Sequence, residues 1–191
     1  MAFIIGLAGP GKVGKSTTAK NIVATFNILH PHLKVGRYAF AQPIYDITAE
    51  LTGISVDTLK NEVYKETEWS EASAPIECLA GWSPRKLLQI IGTECFRNNV
   101  HSDFWVQTAL HKIKHLDIAI IEDARFSNEF EYSNVIIELY REGVVYAKNH
   151  PSAMPPEERF VSHRLQLVHG MDYQPVVSFI MEKYNNGTQS F

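Results

Sequence analysis

The chain has 191 residues, with 45% hydrophobic and 20% charged residues, enough for one compact domain with a sizeable core. Its formal charge of −3 argues against a protein that binds nucleic acid through a basic surface, because phosphate contacts dominate such binding. No apolar run approaches the ~20 residues of a membrane span, Cys78 and Cys95 lack metal-ligand or disulfide spacing, and a cytoplasmic protein with reduced thiols is expected.

Phe3 to Ala8 is a nearly continuous apolar run, expected to form a central parallel strand covered on both faces. Residues 9–16, Gly-Pro-Gly-Lys-Val-Gly-Lys-Ser, follow it and complete the pattern G-x-x-x-x-G-K-[ST]. Ala19, Ile22, Val23 and Phe26 then recur at helical spacing, so a helix is predicted over 15–28. Glycines let successive backbone N–H groups point at phosphate oxygens, and the helix presents its positive end to the same anion. The candidate ATP contacts are Gly9, Gly11, Lys12, Val13, Gly14, Lys15, Ser16 and Thr17, with Lys148 from further along the chain. Lys15 can bridge the β- and γ-phosphates of ATP, and the Ser16 hydroxyl can ligate Mg²⁺. The loop is shared by GTPases, ATPases and small-molecule kinases, so it does not name the reaction.

A second strand is predicted over 34–40 and a helix from Pro43 to Thr52, stopped by Gly53. Residues 54–82 are rich in Glu, Lys and Ser and read as a partly helical insertion; with the helix after it, an acceptor-binding segment over about 54–100 is expected. Ser83-Pro84 opens that helix, with Leu87, Leu88, Ile91 and Cys95 as its buried stripe. Arg85, Gln89 and Thr93 fall at i, i+4 and i+8 on one polar face, with Arg97 further along. An arginine and an amide at this spacing suit a nucleotide's phosphate and base; a solvated basic face is the bland alternative.

A helix is predicted at about 103–114, then an apolar strand, Ile118 to Ile121, ending at Glu122-Asp123. Asp123 stands where a P-loop enzyme holds its Mg²⁺ shell, and Arg125 falls at the same strand end, within plausible reach of a transferring phosphoryl group; simple N-capping by Asp123 or Ser127 is the alternative. Residues 127–142 read as a helix stopped by Gly143, and residues 144–147, 165–169 and 175–184 as strand, strand and helix. The proline-bearing stretch at about 149–163, flanked by Lys148 and carrying Arg159 and His163, with Arg164 beyond, reads as a lid that brings cations to phosphate, or as an ordinary surface loop. Alternating strands and helices predict an α/β fold: a doubly wound, parallel, five-stranded sheet of P-loop kinase type, helices on both faces, in a single domain.

Surplus cations around one phosphate loop suit transfer to an acceptor that is already an anion, which needs no strong general base. The chain resembles the phage-type deoxynucleoside monophosphate kinases in the phosphate loop, in Phe40-Ala41-Gln42-Pro43-Ile44, in Arg85-Lys86-Leu87-Leu88-Gln89-Ile90-Ile91-Gly92-Thr93-Glu94, in Asp103-Phe104-Trp105-Val106, in Asp123-Ala124-Arg125-Phe126-Ser127-Asn128-Glu129 and in Ser162-His163. The resemblance implies transfer from ATP, with Mg²⁺, to a (deoxy)nucleoside monophosphate. It implies phosphate contacts from Arg85 and Arg125, Gln89 near the acceptor nucleotide and Asp123 near the metal; with Lys15 of the loop, the two arginines are the candidate catalytic cations. Asp46, Arg97 and Glu129 complete the candidate acceptor set, Ser16 and Asp123 are the candidate metal ligands, and a homodimer is implied. Tyr45 stands where the family often has lysine, and Gln166 where it often has an acidic residue after the Ser-His pair. A kinase acting on a nucleoside, coenzyme precursor or sugar acid is the nearest rival, with Asp46 as its base. A nucleotide-dependent switch is the rival from another class, although a GTPase's Asn-Lys-x-Asp motif does not occur.

Overall fold

The computed structural model describes residues 1–146 and 155–188. The chain divides into two compact units, the first formed by residues 1–40 and 106–191 and the second by residues 41–105.

The first unit is built on five strands: β1 (Phe3–Ala8), β2 (Val35–Tyr38), β3 (Ile118–Ile121), β4 (Val135–Tyr140) and β5 (His163–Gln166). They lie in the order β2-β3-β1-β4-β5, and every pairing is parallel. This is the expected five-stranded parallel sheet. Side chains alternate across a strand, so β1 serves two cores. Ile5 and Leu7 enter the layer with Ile22 and Phe26 of α1 (Lys15–Leu29) and with Val176, Val177 and Ile180 of α8 (Gln174–Thr188). Ile4 and Ala8 enter the opposite layer with Val106, Ala109 and Ile113 of α6 (Phe104–Ile113) and with Phe130 of α7 (Ser127–Glu131). Burial of an aliphatic side chain contributes about 1.5–3 kcal/mol, and both faces of β1 gain it, which explains a run with almost no polar residue.

The carboxyl end of the chain departs from its reading in the sequence. The helix expected over 127–142 is one short helix, α7, followed by strand β4; Val135, Ile136, Ile137 and Leu139 are all buried. β-Branched residues pack well on a pleated sheet and are stiff in a helix. Gly143, expected to stop a helix, instead turns the chain with φ 76° between the bridged residues Arg141 and Val144. Residues 144–146 form no extended strand, and 147 lies outside the described residues. The last strand begins at His163, two residues earlier than expected.

The second unit is helical, with α2 (Gln42–Thr52), α3 (Val56–Lys60), α4 (Glu62–Glu66) and α5 (Pro84–Gln89). Gly53 ends α2 in the left-handed conformation, as its position suggested. Ser83 caps α5, its hydroxyl accepting from the Lys86 N–H at 3.3 Å, with Pro84 first in the helix. The helix then widens into π-helical turns over Ile90–Asn98. Those turns change which residues face inward, so Ile91 and Gly92 are buried while Cys95, expected in the buried stripe, is exposed. The Trp105 indole N–H donates to the Gly92 carbonyl at 2.7 Å and ties this segment down.

Candidate phosphate-binding site and acceptor residues

In a sheet of this order ligands bind beyond the carboxyl ends of the strands, beside the strand where the winding reverses. Here that strand is β1, paired to β3 on one side and β4 on the other. The segment joining β1 to α1 is the glycine-rich loop. Gly9 has φ 141°, and a Cβ there would stand 2.6 Å from the Leu139 carbonyl oxygen, so only glycine lets the loop pass β4. Gly14 caps α1 at φ 115°. Lys12 holds φ 61°, a left-handed conformation that costs a lysine about 1–2 kcal/mol. Such strain persists where surrounding structure enforces it, commonly at ligand clamps. Val13 is fully buried, so it offers a ligand only its backbone. Ser16 and Thr17 are exposed on the first turn of α1.

Lys15 curls over the loop, its ammonium donating to the Gly9 carbonyl at 2.7 Å and the Pro10 carbonyl at 2.8 Å. Burial, joined by the Arg125 guanidinium and opposed by the Asp123 carboxylate, lowers its pKa to about 8. The three side chains predicted from separate segments therefore share one electrostatic neighbourhood. Asp123 accepts from the Phe40 N–H through Oδ1 at 2.7 Å, which fixes the carboxylate against the end of β2. Glu129, expected to meet substrate, is 2% exposed, and its Oε2 accepts from the backbone N–H groups of Arg125 (2.8 Å) and Phe126 (3.1 Å). The geometry gives it the work of shaping the loop that presents Arg125. This bond, rather than a cap from Asp123 or Ser127, opens α7.

Arg141 was not visible as a site residue. It follows β4 directly, and a Cβ on Gly14 would lie 3.5 Å from its Nη2, so its guanidinium flanks the phosphate loop. A cation just after a strand was the available signal, hidden while 127–142 read as helix.

Of the residues read as lid, Lys148 lies outside the described residues. Arg159 pairs with Glu157 at 2.8 Å, and Arg164 pairs with Glu138 at 2.9 Å and with Glu158. His163 begins β5 and stacks on Phe179 with ring centroids 4.7 Å apart. Ser162 is tied to β4, its N–H donating to the Ile136 carbonyl at 2.9 Å.

The acceptor candidates Asp46, Arg85, Gln89 and Arg97 all belong to the second unit. Arg85, in the first turn of α5, donates from Nε to Glu66, with Glu62 3.7 Å from its Nη2. Asp46 is exposed and accepts from the Gln42 amide at 2.7 Å. Gln89 is exposed and Arg97 half-buried within the π-helical stretch. A depression lined by Asp57, Thr58, Asn61, Val63, Tyr64 and Thr67 carries no cation, so shape and anion chemistry do not coincide there.

A parallel sheet with this loop after its first strand and a lysine–aspartate–arginine group at its carboxyl edge is the build of a P-loop kinase. Residues 53–139 match the family model described as deoxynucleotide monophosphate kinase. The chain is 26% identical to a deoxynucleoside-5'-monophosphate kinase of Escherichia phage T5, over 86% of this chain and 89% of that one. It is 25% identical to a putative deoxynucleotide monophosphate kinase of Acanthamoeba polyphaga mimivirus, over 97% of this chain and 98% of that one. The resemblance read from the motifs is borne out, and the protein is a kinase, a phosphotransferase that uses a nucleotide. Among the described residues no helix is long and apolar enough to cross a membrane.

Proposed function

We propose that the chain transfers the γ-phosphoryl group of ATP to a deoxynucleoside 5'-monophosphate, giving ADP and the diphosphate. What carries this reading is the convergence of Lys15, Asp123 and Arg125 in a chain similar, over nearly its whole length, to kinases of that name. The loop N–H groups and Lys15 hold the donor phosphates. A phosphate oxygen of the acceptor attacks the γ-phosphorus as the bond to the ADP oxygen breaks, and the leaving oxygen keeps the electron pair. Arg125 meets the charge that develops at transfer, held in place by Glu129 through its own backbone.

The oxygens offered by Ser16 on α1 and by Asp123 after β3 suit Mg²⁺. Among the described residues no three His, Cys, Asp or Glu side chains gather to enclose a metal ion. Mg²⁺ commonly takes one or two protein oxygens together with phosphate oxygens and water. The Ser16 hydroxyl and the Asp123 carboxylate would supply those oxygens, and the ion would neutralise charge on the phosphates. We place the reaction in the cytoplasm, host cytoplasm if a phage encodes the chain, with small-molecule nucleotides as partners and a homodimer as its assembly.

The deciding experiment offers a panel of deoxynucleoside monophosphates and the matching free nucleosides with ATP and Mg²⁺, following ADP. Turnover of a monophosphate and not of its nucleoside is expected. Comparable rates on the nucleoside would favour the rival that uses Asp46 as base. Kinetics at the two arginines make a finer prediction. Arg85→Ala should raise the KM for the monophosphate more than that for ATP, and Arg125→Ala should mainly lower kcat. A charge-assisted contact contributes roughly 1.5–3 kcal/mol, so each effect should be about 10- to 150-fold. Wild-type behaviour in both variants, measured with each substrate varied in turn, would remove these roles.

A further inference from the structure

The second unit contains a buried cation that no motif singles out. The Lys65 side chain, on α4, is 9% exposed, and lysine is almost never buried without a partner. Its ammonium donates to Glu62 Oε1 at 3.0 Å and stands 5.9 Å from the centre of the Tyr45 ring. The other oxygen of the same carboxylate, Glu62 Oε2, lies 3.7 Å from Arg85 Nη2. Two cations from different helices therefore converge on one anion. A lysine–glutamate pair at i,i+3 is ordinary on a helix surface. Such a pair does not bury its lysine, nor share its carboxylate with an arginine from elsewhere in the chain.

The three groups differ in freedom. Lys65 is enclosed and its ammonium is held over an aromatic face, within the range of a cation–π contact. Arg85 is oriented by the bond from Nε to Glu66, which leaves Nη2 turned toward Glu62. Glu62 is 54% exposed in its side chain and is the first residue of a five-residue helix, so solvent and a dissolved anion reach the carboxylate that Lys65 and Arg85 share. A carboxylate brings one charge and two oxygens. A phosphomonoester brings about −1.5 to −2 charge at pH 7 and three acceptor oxygens, a better match for a point charge and a planar guanidinium together.

We propose that Lys65 and Arg85 form the seat of the acceptor's 5'-phosphate, and that Glu62 occupies this seat until the phosphate displaces it. The inference deepens the monophosphate-kinase reading and rests on it. Lys65 supplies a fixed charge on the buried side, Arg85 closes the exposed side, and Glu62 sets how tightly the acceptor is held. The acceptor competes with a tethered carboxylate, so weakening that carboxylate should improve affinity.

The test measures KM for a deoxynucleoside monophosphate and for ATP in the wild type, in Lys65→Met and in Glu62→Gln, with a melting curve for each. Lys65→Met should raise the KM for the monophosphate about 10- to 150-fold and leave the KM for ATP unchanged. Glu62→Gln should lower the KM for the monophosphate. A structural ion pair predicts the opposite: a lower melting temperature in Glu62→Gln with no gain in acceptor affinity. If Lys65→Met fails to fold, the sign of the Glu62→Gln effect still decides. An unchanged or higher monophosphate KM in Glu62→Gln overturns the seat, as does an unchanged one in a folded Lys65→Met. A wild type that phosphorylates nucleosides but no monophosphate overturns the acceptor reading instead.

Discussion

Lys15→Met is expected to reduce phosphoryl transfer by about 10²- to 10³-fold or more, the usual cost of losing a preorganised group that meets charge in the transition state, while leaving the fold intact. The ammonium is a cation built into the loop itself, seated on the carbonyls of Gly9 and Pro10. Methionine keeps the length of the side chain and removes its charge. The same variant carries a signature in pH. Unfolded Lys15 keeps its proton up to its ordinary value of 10.5, whereas burial lowers the folded value to about 8. Between those values the folded chain binds fewer protons, so stability from this group rises with pH; the cost of burying its charge is fully present below pH 8. The melting temperature of Lys15→Met relative to wild type should therefore be level below pH 8 and fall between about pH 8 and pH 10, as the wild type sheds that cost. Bound triphosphate favours the charged form, so ATP binding above pH 8 should draw a proton from solution in the wild type and none in Lys15→Met. Titration calorimetry in buffers of different ionisation enthalpy reads that proton directly. Normal turnover in the variant would end the phosphotransferase reading; proton uptake that survives the substitution would assign the titration to another group.

Gly9→Ala is expected to disable the loop by geometry rather than by charge. The new Cβ would stand 2.6 Å from the Leu139 carbonyl oxygen and 3.2 Å from Val13 Cγ1, at a φ of 141° that L side chains rarely adopt. Backbone strain of this kind costs about 1–3 kcal/mol. The clash is with sheet backbone, so the loop has to move instead. For a chain of this size about 1 kcal/mol corresponds to roughly 2–4 °C of melting temperature, which sets the expected fall at about 2–12 °C. The displaced loop should also lose the stabilisation that bound nucleotide gives the native state. Thermal melts with and without ATP and Mg²⁺ separate the two effects. A variant that melts like wild type and still gains from ATP would show that the loop does not need its present path.

Local chemistry was readable without coordinates. The run Phe3 to Ala8, the glycines and Lys15 act through spacing along the chain, because backbone conformation and the helix dipole are local properties. The same holds for Ser83-Pro84 as a helix start and Gly53 as a helix stop. Asp123 and Arg125 were legible because the rule that ligands gather at strand ends converts a strand's last residue into a location.

Where two local signals competed, the sequence alone chose wrongly. Residues 127–142 carry enough helix formers to read as one helix, and burial of Val135 to Ile137 beside β1 decided for a strand. That decision belongs to the sheet, since a β-branched run gains more from a two-sided core than from its own propensity. With β4 misplaced, Arg141 could not be seen beside the phosphate loop. The π-helical turns after Gln89 likewise followed from packing, and they exposed Cys95. Glu129 entered the candidate acceptor set with the segment from Asp123 to Glu129 that carries the resemblance. Only burial revealed that backbone N–H groups occupy one of its carboxylate oxygens. Lys65 lay beyond sequence reasoning altogether, because its meaning comes from sharing Glu62 with an arginine from another helix. The sequence by itself determined the phosphate loop, the parallel α/β class and the kinase resemblance, all set by order and spacing along the chain. Tertiary structure decided which charges are buried, paired or brought together, because those depend on distances between segments that no spacing along the chain encodes.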